Sequence, residues 1–291
     1  MPEYNDTIKY MFEKQIALLK NEIDDLKFEI VTRQKKPWHR EAAALIAFAA
    51  LLFSFGTTVV SYVRTAQHDV LNSRIELSSL IKEISNIPEL HAKIMKTYQG
   101  SPRVIAGLSA QLNNRNLVLS KQAASVIDRI ENCYFGGDTV LDVEYLAVAT
   151  ALGASLQYDK AEVYHELAFK RAADPSAAAG ALRSKAGIAM AGGDADKMRK
   201  FMQKARQVFS IQKFQSTLQL TKDIVNANTE IQWGMAELEL NKCDNAREHK
   251  IKTEHLVQDI PQGSTRTQFL WLLEDLSTGI EKCIANSSIH N

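Results

Sequence analysis

Three residues near the C-terminus, Cys243, His249 and His255, are of types that bind metals. Each stands six positions from the next. A six-residue step turns a helix by about 240°, so three such side chains do not share a face, and the spacing argues against a metal centre. Glu144 and Glu166 come nearest to an acid and base pair, but nothing in the sequence brings their carboxyls within reach of each other. There is no glycine-rich phosphate loop, no Gly-x-Ser-x-Gly elbow and no His-Glu-x-x-His pair. Neither catalysis nor a cofactor is expected, and the residues point to binding.

Cys133, Cys243 and Cys283 are too few for a disulfide scaffold. Cys243 and Cys283 can pair if the C-terminal part lies in an oxidising compartment; the other reading is three buried thiols. The formal net charge of +1 gives no case for nucleic acid as a partner.

The elements that must hold any binding residues begin with Ala42–Val63, AAALIAFAALLFSFGTTVVSYV, which contains no charge and no proline. At about 1.5 Å per residue such a helix spans a hydrocarbon core of roughly 30 Å. Trp38 and Tyr62 stand where interfacial rings are expected. The segment reads as an uncleaved signal anchor, so the chain is expected to cross a membrane once. Arg33, Lys35, Lys36 and Arg40 precede it and Arg64 alone follows closely, which places the N-terminus in the cytoplasm and the C-terminal domain on the opposite side. In a Gram-negative cell that is the inner membrane with a periplasmic domain.

Upstream, Ile16, Leu19, Ile23, Leu26 and Ile30 recur at alternating spacings of three and four, a heptad seam with isoleucine at a and leucine at d. That combination favours parallel coiled coils. Counting on by sevens puts Ala47, Ser54 and Ser61 at d inside the apolar segment, and small residues there let helices approach closely in lipid. These eight residues are the expected self-association surface of a parallel homo-oligomer. Pro37, between the two parts, can interrupt the helix and break the phase. The expected domains are a cytoplasmic coiled coil over 1–36, a transmembrane helix over 41–63, a helical stalk over 64–87 ending at Pro88, and a helical domain over 88–291.

From Pro88 onward glycine and proline fall in short clusters between helical stretches, with no alternating strand pattern, so the fold class is all-α. In one stretch Tyr145, Val148, Ala149 and Leu152 lead through a turn at 158–160 to Ala161, Ala168 and Asp174-Pro175. In a second, Leu182, Ala186 and Ala189 lead through Gly193-Asp194 to Met198 and Ala205. A third, fainter, has Trp233, Gly234, Asn245-Ala246 and Leu256 before Pro261. Over about residues 140–260 this pattern resembles tetratricopeptide (TPR) repeats, in which small residues let the two helices of a repeat cross closely. The resemblance implies an α-solenoid of helix pairs that binds protein or peptide. The spacing departs from the family's, since Ala161 to Met198 is three residues too long, and Met198 replaces a small residue.

Residues 128–166 are mostly acidic and 183–213 mostly basic. The two stretches can attract each other within the chain, or Lys197, Lys200 and Lys204 can present a basic face to an acidic partner. The expected function is a membrane-anchored scaffold or adaptor. The alternative is an oligomeric sensor or membrane effector, whose helical domain detects a trigger and whose membrane helices transmit a signal or perturb the membrane.

Overall fold

The computed structural model describes residues 3–32, 39–133 and 139–289. These residues form ten α-helices and two short 3-10 turns, with no strand among them. The chain divides into two compact units, Met1–His68 and Asp69–Asn291, and the second helix contributes to both.

The first unit holds α1 (Glu3–Thr32) and the start of α2 (His39–Thr97). On α1, Leu19, Ile23 and Leu26 are half-buried and Ile16 is exposed. The side chain of Ile30 and the whole of 33–38, where Pro37 falls, lie outside the described residues. Along α2, one stretch is long and apolar enough to cross a membrane, with a mean hydropathy of 1.9 and none of it buried. Three of its threonine hydroxyls bond within the helix: Thr57 and Thr58 donate to the carbonyl of Ser54 at 2.8 Å, and Thr65 to that of Ser61 at 2.9 Å. Ala47, Ser54 and Ser61 are exposed.

The second unit starts with a correction to the sequence reading. Helix α2 does not break at Pro88 but runs through it to Thr97, and it buries Ser73, Leu77 and Ile84 within the stretch 64–87 read as a stalk. An interior proline costs about 3 kcal/mol through its missing N–H and ring clash. Ile84 and Ile87, in the turn that leads into Pro88, pack in the core and offset the cost. Helix α3 (Pro102–Glu131) returns antiparallel: Glu76, Glu83 and His91 of α2 meet Arg129, Arg115 and Ser109 at 3.0, 2.9 and 3.2 Å, one series rising as the other falls.

Three helix pairs follow, α4 (Asp142–Ala154) with α5 (Tyr158–Arg171), α6 (Pro175–Ala191) with α7 (Ala195–Arg206), and α8 (Gln219–Glu239) with α9 (Cys243–Gln258). Their turns are the same Schellman cap. Gln157, Asp194 and Lys242 each donate their backbone N–H to the carbonyl five residues back, that of Leu152, Ala189 and Glu237, at 2.9 Å. The preceding residue is left-handed in all three: Leu156 at φ 60°, Gly193 at 81° and Asn241 at 57°. So short a reversal makes each pair antiparallel. Seven residues before the left-handed position stand Ala149, Ala186 and Gly234, and five after it stand Ala161, Met198 and Ala246, all buried. At Gly234 a Cβ would lie 3.0 Å from Leu276 Cδ2 of the last helix and 3.3 Å from His249 Cβ across the crossing, so a larger residue would press on both neighbours.

Pro175 opens α6 rather than closing the preceding pair. Asp174 caps that helix by accepting the N–H groups of Ser176 and Ala177 at 2.8 and 2.9 Å. The longer spacing before the third pair is taken up by the 3-10 turns Gln207–Ser210 and Gln212–Phe214, which bury Val208 and Phe214. The last helix, α10 (Ser264–Ile289), packs on α8 and α9, and a Cys243–Cys283 disulfide ties it to the start of α9.

Leucine is a poor residue for a left-handed turn, costing roughly 1 to 2 kcal/mol against glycine, and the side chain of Leu156 is mostly exposed. Leu156→Gly is expected to raise stability by about 1 kcal/mol in thermal unfolding of the detergent-solubilised protein. A loss would show that the side chain is needed there.

Candidate functional site

Two charged seams join the helix pairs. In the first, the acidic face of α5 meets basic residues of α6 and α7. Lys185, almost fully buried, places Nζ 2.8 Å from Glu166 Oε2, and Lys197 places Nζ 2.7 Å from Glu162 Oε2. The hydrogen bond from Lys185 holds the Glu166 carboxyl below its usual range, ahead of the opposing effect of burial. Lys185, Lys197 and Lys204 also surround the Phe201 ring, with ammoniums 4.7, 5.9 and 5.8 Å from its centroid. The acidic and basic stretches of the sequence thus attract each other within the chain. Of the three lysines expected to meet a partner, Lys197 is engaged by Glu162, while Lys200 and Lys204 are exposed on one face of α7.

The second seam joins α7 to α8. Arg199 donates to Glu237 from Nε and NH2 at 2.7 and 2.9 Å, and about two turns on, Arg206 Nε lies 2.8 Å from Glu230 Oε1. The Arg206 N–H is not aimed along that line, so Glu230 Oε1 accepts no aligned hydrogen bond. Both carboxylates are buried, Glu230 at 0% exposure and Glu237 at 1%. Burial pushes the Glu237 carboxyl up, but hydrogen bonds from Arg199, Asn245 and Trp233 outweigh it and hold the group below the usual carboxylate range. Glu230 Oε2 lies 2.6 Å from His249 Nδ1, and that imidazole stacks on Trp233 with centroids 4.4 Å apart.

The residues considered for chemistry have structural partners instead. Cys243 is in the disulfide and His249 is on Glu230. Glu144 pairs with Arg74 and accepts the Leu141 N–H at 2.8 Å. Glu166 pairs with Lys185 on a different helix from Glu144. Among the described residues, no three His, Cys, Asp or Glu side chains are grouped to hold a metal. Sequence reasoning missed Arg199, Arg206, Glu230 and Glu237. The one available signal was that each pair is seven residues apart, on the helix face that also carries apolar residues.

No protein-family model matches the chain, and no curated protein matches it. Among solved structures, the crystal structure of BtubC (BKLC) from P. vanneervenii is similar at 14% identity, covering 72% of this chain and 89% of that one, with a TM-score of 0.40. A likeness that faint fixes neither fold nor function.

His165 of α5 is 1% exposed, and its Nδ1 accepts or donates no hydrogen bond. Burial first, and the Lys185 ammonium second, lower its pKa to about 4. As pH falls below roughly 6.5 the unfolded chain takes up this proton before the folded one does, so stability is lost between about 6.5 and 4. The loss is expected to reach about 3 kcal/mol at the acid end. His165→Gln should flatten the difference between melts at pH 7 and pH 4.5, and an unchanged difference would place the acid sensitivity elsewhere.

Proposed function

We propose that this protein is a membrane-anchored, non-catalytic scaffold whose TPR-like helical array binds a protein or peptide. The observation that carries the reading is the continuity of α2. The helix that contains the apolar segment goes on to supply Leu77 and Ile84 to the core of the second unit. Anchor and array therefore share one covalent, helical element. The three identical turns support a repeat array, since stacked pairs of this kind present long surfaces with no chemistry of their own. The protein-binding role comes from the TPR-like sequence pattern and is an analogy at the level of fold.

The same reading has the apolar segment crossing the membrane once, with the N-terminus cytoplasmic. The basic flank supports that orientation, as does the Cys243–Cys283 disulfide, because such bonds persist in oxidising compartments. Self-association is assigned to the α1 seam and to Ala47, Ser54 and Ser61. Exposure of those three small residues suits a contact with a second copy. An acidic partner segment on Lys200 and Lys204 is the contact the array favours, Lys197 being engaged by Glu162.

The continuity of α2 also serves the second reading, a sensor or effector, since a shift in the array's core would act directly on the apolar helix. Membrane depolarisation on expression would favour the sensor. A stable complex with an intact membrane would favour the scaffold.

Two experiments test this account. A membrane-impermeant thiol label should reach Asn114→Cys from outside intact cells and fail to reach Asn5→Cys; the reverse pattern would overturn the topology. Lys200→Glu combined with Lys204→Glu should abolish crosslinked capture of the partner while moving stability by no more than about 0.5 kcal/mol per site, as exposed substitutions do. Undiminished capture would return α7 to the role of a solvated face.

A further inference from the structure

Between Leu71 and Ser79, helix α2 turns one side to the core of the second unit and leaves the other bare. Ser73 and Leu77 are buried, and Leu80 and Ile81 pack against the same cluster. The charged residues of the stretch, Arg74 and Glu76, are engaged by Glu144 of α4 and Arg129 of α3. Leu71, Asn72, Ile75, Ser78 and Ser79 are all exposed, Leu71 at 55% and Ile75 at 62%. At about 100° per residue, Leu71 and Ile75 point roughly 180° away from Ser73 and Leu77. The solvent side of a surface helix ordinarily carries charge. This side carries none through two turns and exposes two large aliphatic side chains.

We propose that this face is covered by the same face of a second copy, so that two α2 helices run side by side and parallel over residues 71–79. The inference rests on the self-association reading and extends it beyond the apolar segment. The sequence register singles out a second copy as the occupant. Ala47, Ser54, Ser61, His68 and Ile75 follow one another at steps of seven along α2, so Ile75 continues at d the row of small residues assigned to self-association. Asn72 falls at the neighbouring a position. In a parallel pair an asparagine at a meets its own copy and can hydrogen-bond to it, which fixes the register and favours two strands. Two chains held by identical apolar segments also carry Leu71, Asn72 and Ile75 at one height, which makes their meeting effectively intramolecular once the segments associate. A different partner would have no reason to match that register.

Disulfide crosslinking of the full-length chain in its native membrane tests the proposal, with the parent chain as the blank for its own cysteines. Three variants are compared after mild oxidation on non-reducing gels: Ile75→Cys on the bare side, Glu76→Cys on the side that meets α3, and Ser54→Cys inside the apolar segment. The expected result is a covalent dimer from Ile75→Cys and Ser54→Cys, several-fold above that from Glu76→Cys. If Ser54→Cys links and Ile75→Cys does not, the extension is wrong and self-association through the apolar segment stands. If neither links, both are wrong. Equal yields from Ile75→Cys and Glu76→Cys would mean random collision and would also overturn the proposal.

Discussion

Burial of Ser73, Leu77 and Ile84 on one side of α2 is the contact on which the rest of the second unit is built. Helix α2 carries two hydrophobic patterns in succession. Its first part is apolar on every face, which suits a surrounding of hydrocarbon, and its second is apolar on one stripe, which suits a protein core. Both patterns lie on one helix, His39–Thr97. That continuity serves the scaffold and the sensor readings equally well, so the choice between them turns on the partner.

Beyond α2, the array repeats one device and varies its filling. The three Schellman turns reverse the chain in the same way, and a small residue stands before each of them and after all but the second, where Met198 takes that place. In the first two pairs the crossing is lined by Tyr145, Leu152, Leu182 and Ala189. The third has Glu230 and Glu237 at the corresponding places, reached by Arg206 and Arg199 from the preceding helix. Only the carboxylates are buried, the side chains of Arg199 and Arg206 being 32% and 42% exposed, so losing one partner costs less than the roughly 3 to 5 kcal/mol of a fully enclosed pair. Ion pairs thus join successive helix pairs beside their apolar contacts, Lys185 and Lys197 at the first junction and Arg199 and Arg206 at the second. The disulfide then fastens α10 onto the last pair.

Much of this was legible in the sequence, for physical reasons that are local. Alanine and glycine at the crossings, Gly193-Asp194 at a turn and the uninterrupted apolar run all act through their own backbone or immediate neighbours. The failures were non-local. Proline 88 reads as a helix end because its local cost is certain, while the core contacts of Ile84 and Ile87 that offset it come from other helices. Leu156 gives no hint of a left-handed backbone, which the pair imposes on it. Glu230 and Glu237 read as surface residues until Arg199 and Arg206 are brought to them, and Lys197 reads as available until Glu162 is. The pairing of Cys243 with Cys283 was one option among two, and the packing of α10 against α9 selects it.

The central claim is that α2 is one helix whose second half is structural core. Hydrogen exchange on the full-length protein in lipid nanodiscs measures this most directly. The account predicts that amides from Ser73 to Ile87 exchange as slowly as those of Leu119 to Ile130 on α3, with no fast-exchanging gap on either side of Pro88 beyond the turn that lacks its bond. Rapid exchange throughout 69–88, with slow exchange resuming only in α3, would show a solvated stalk and contradict it.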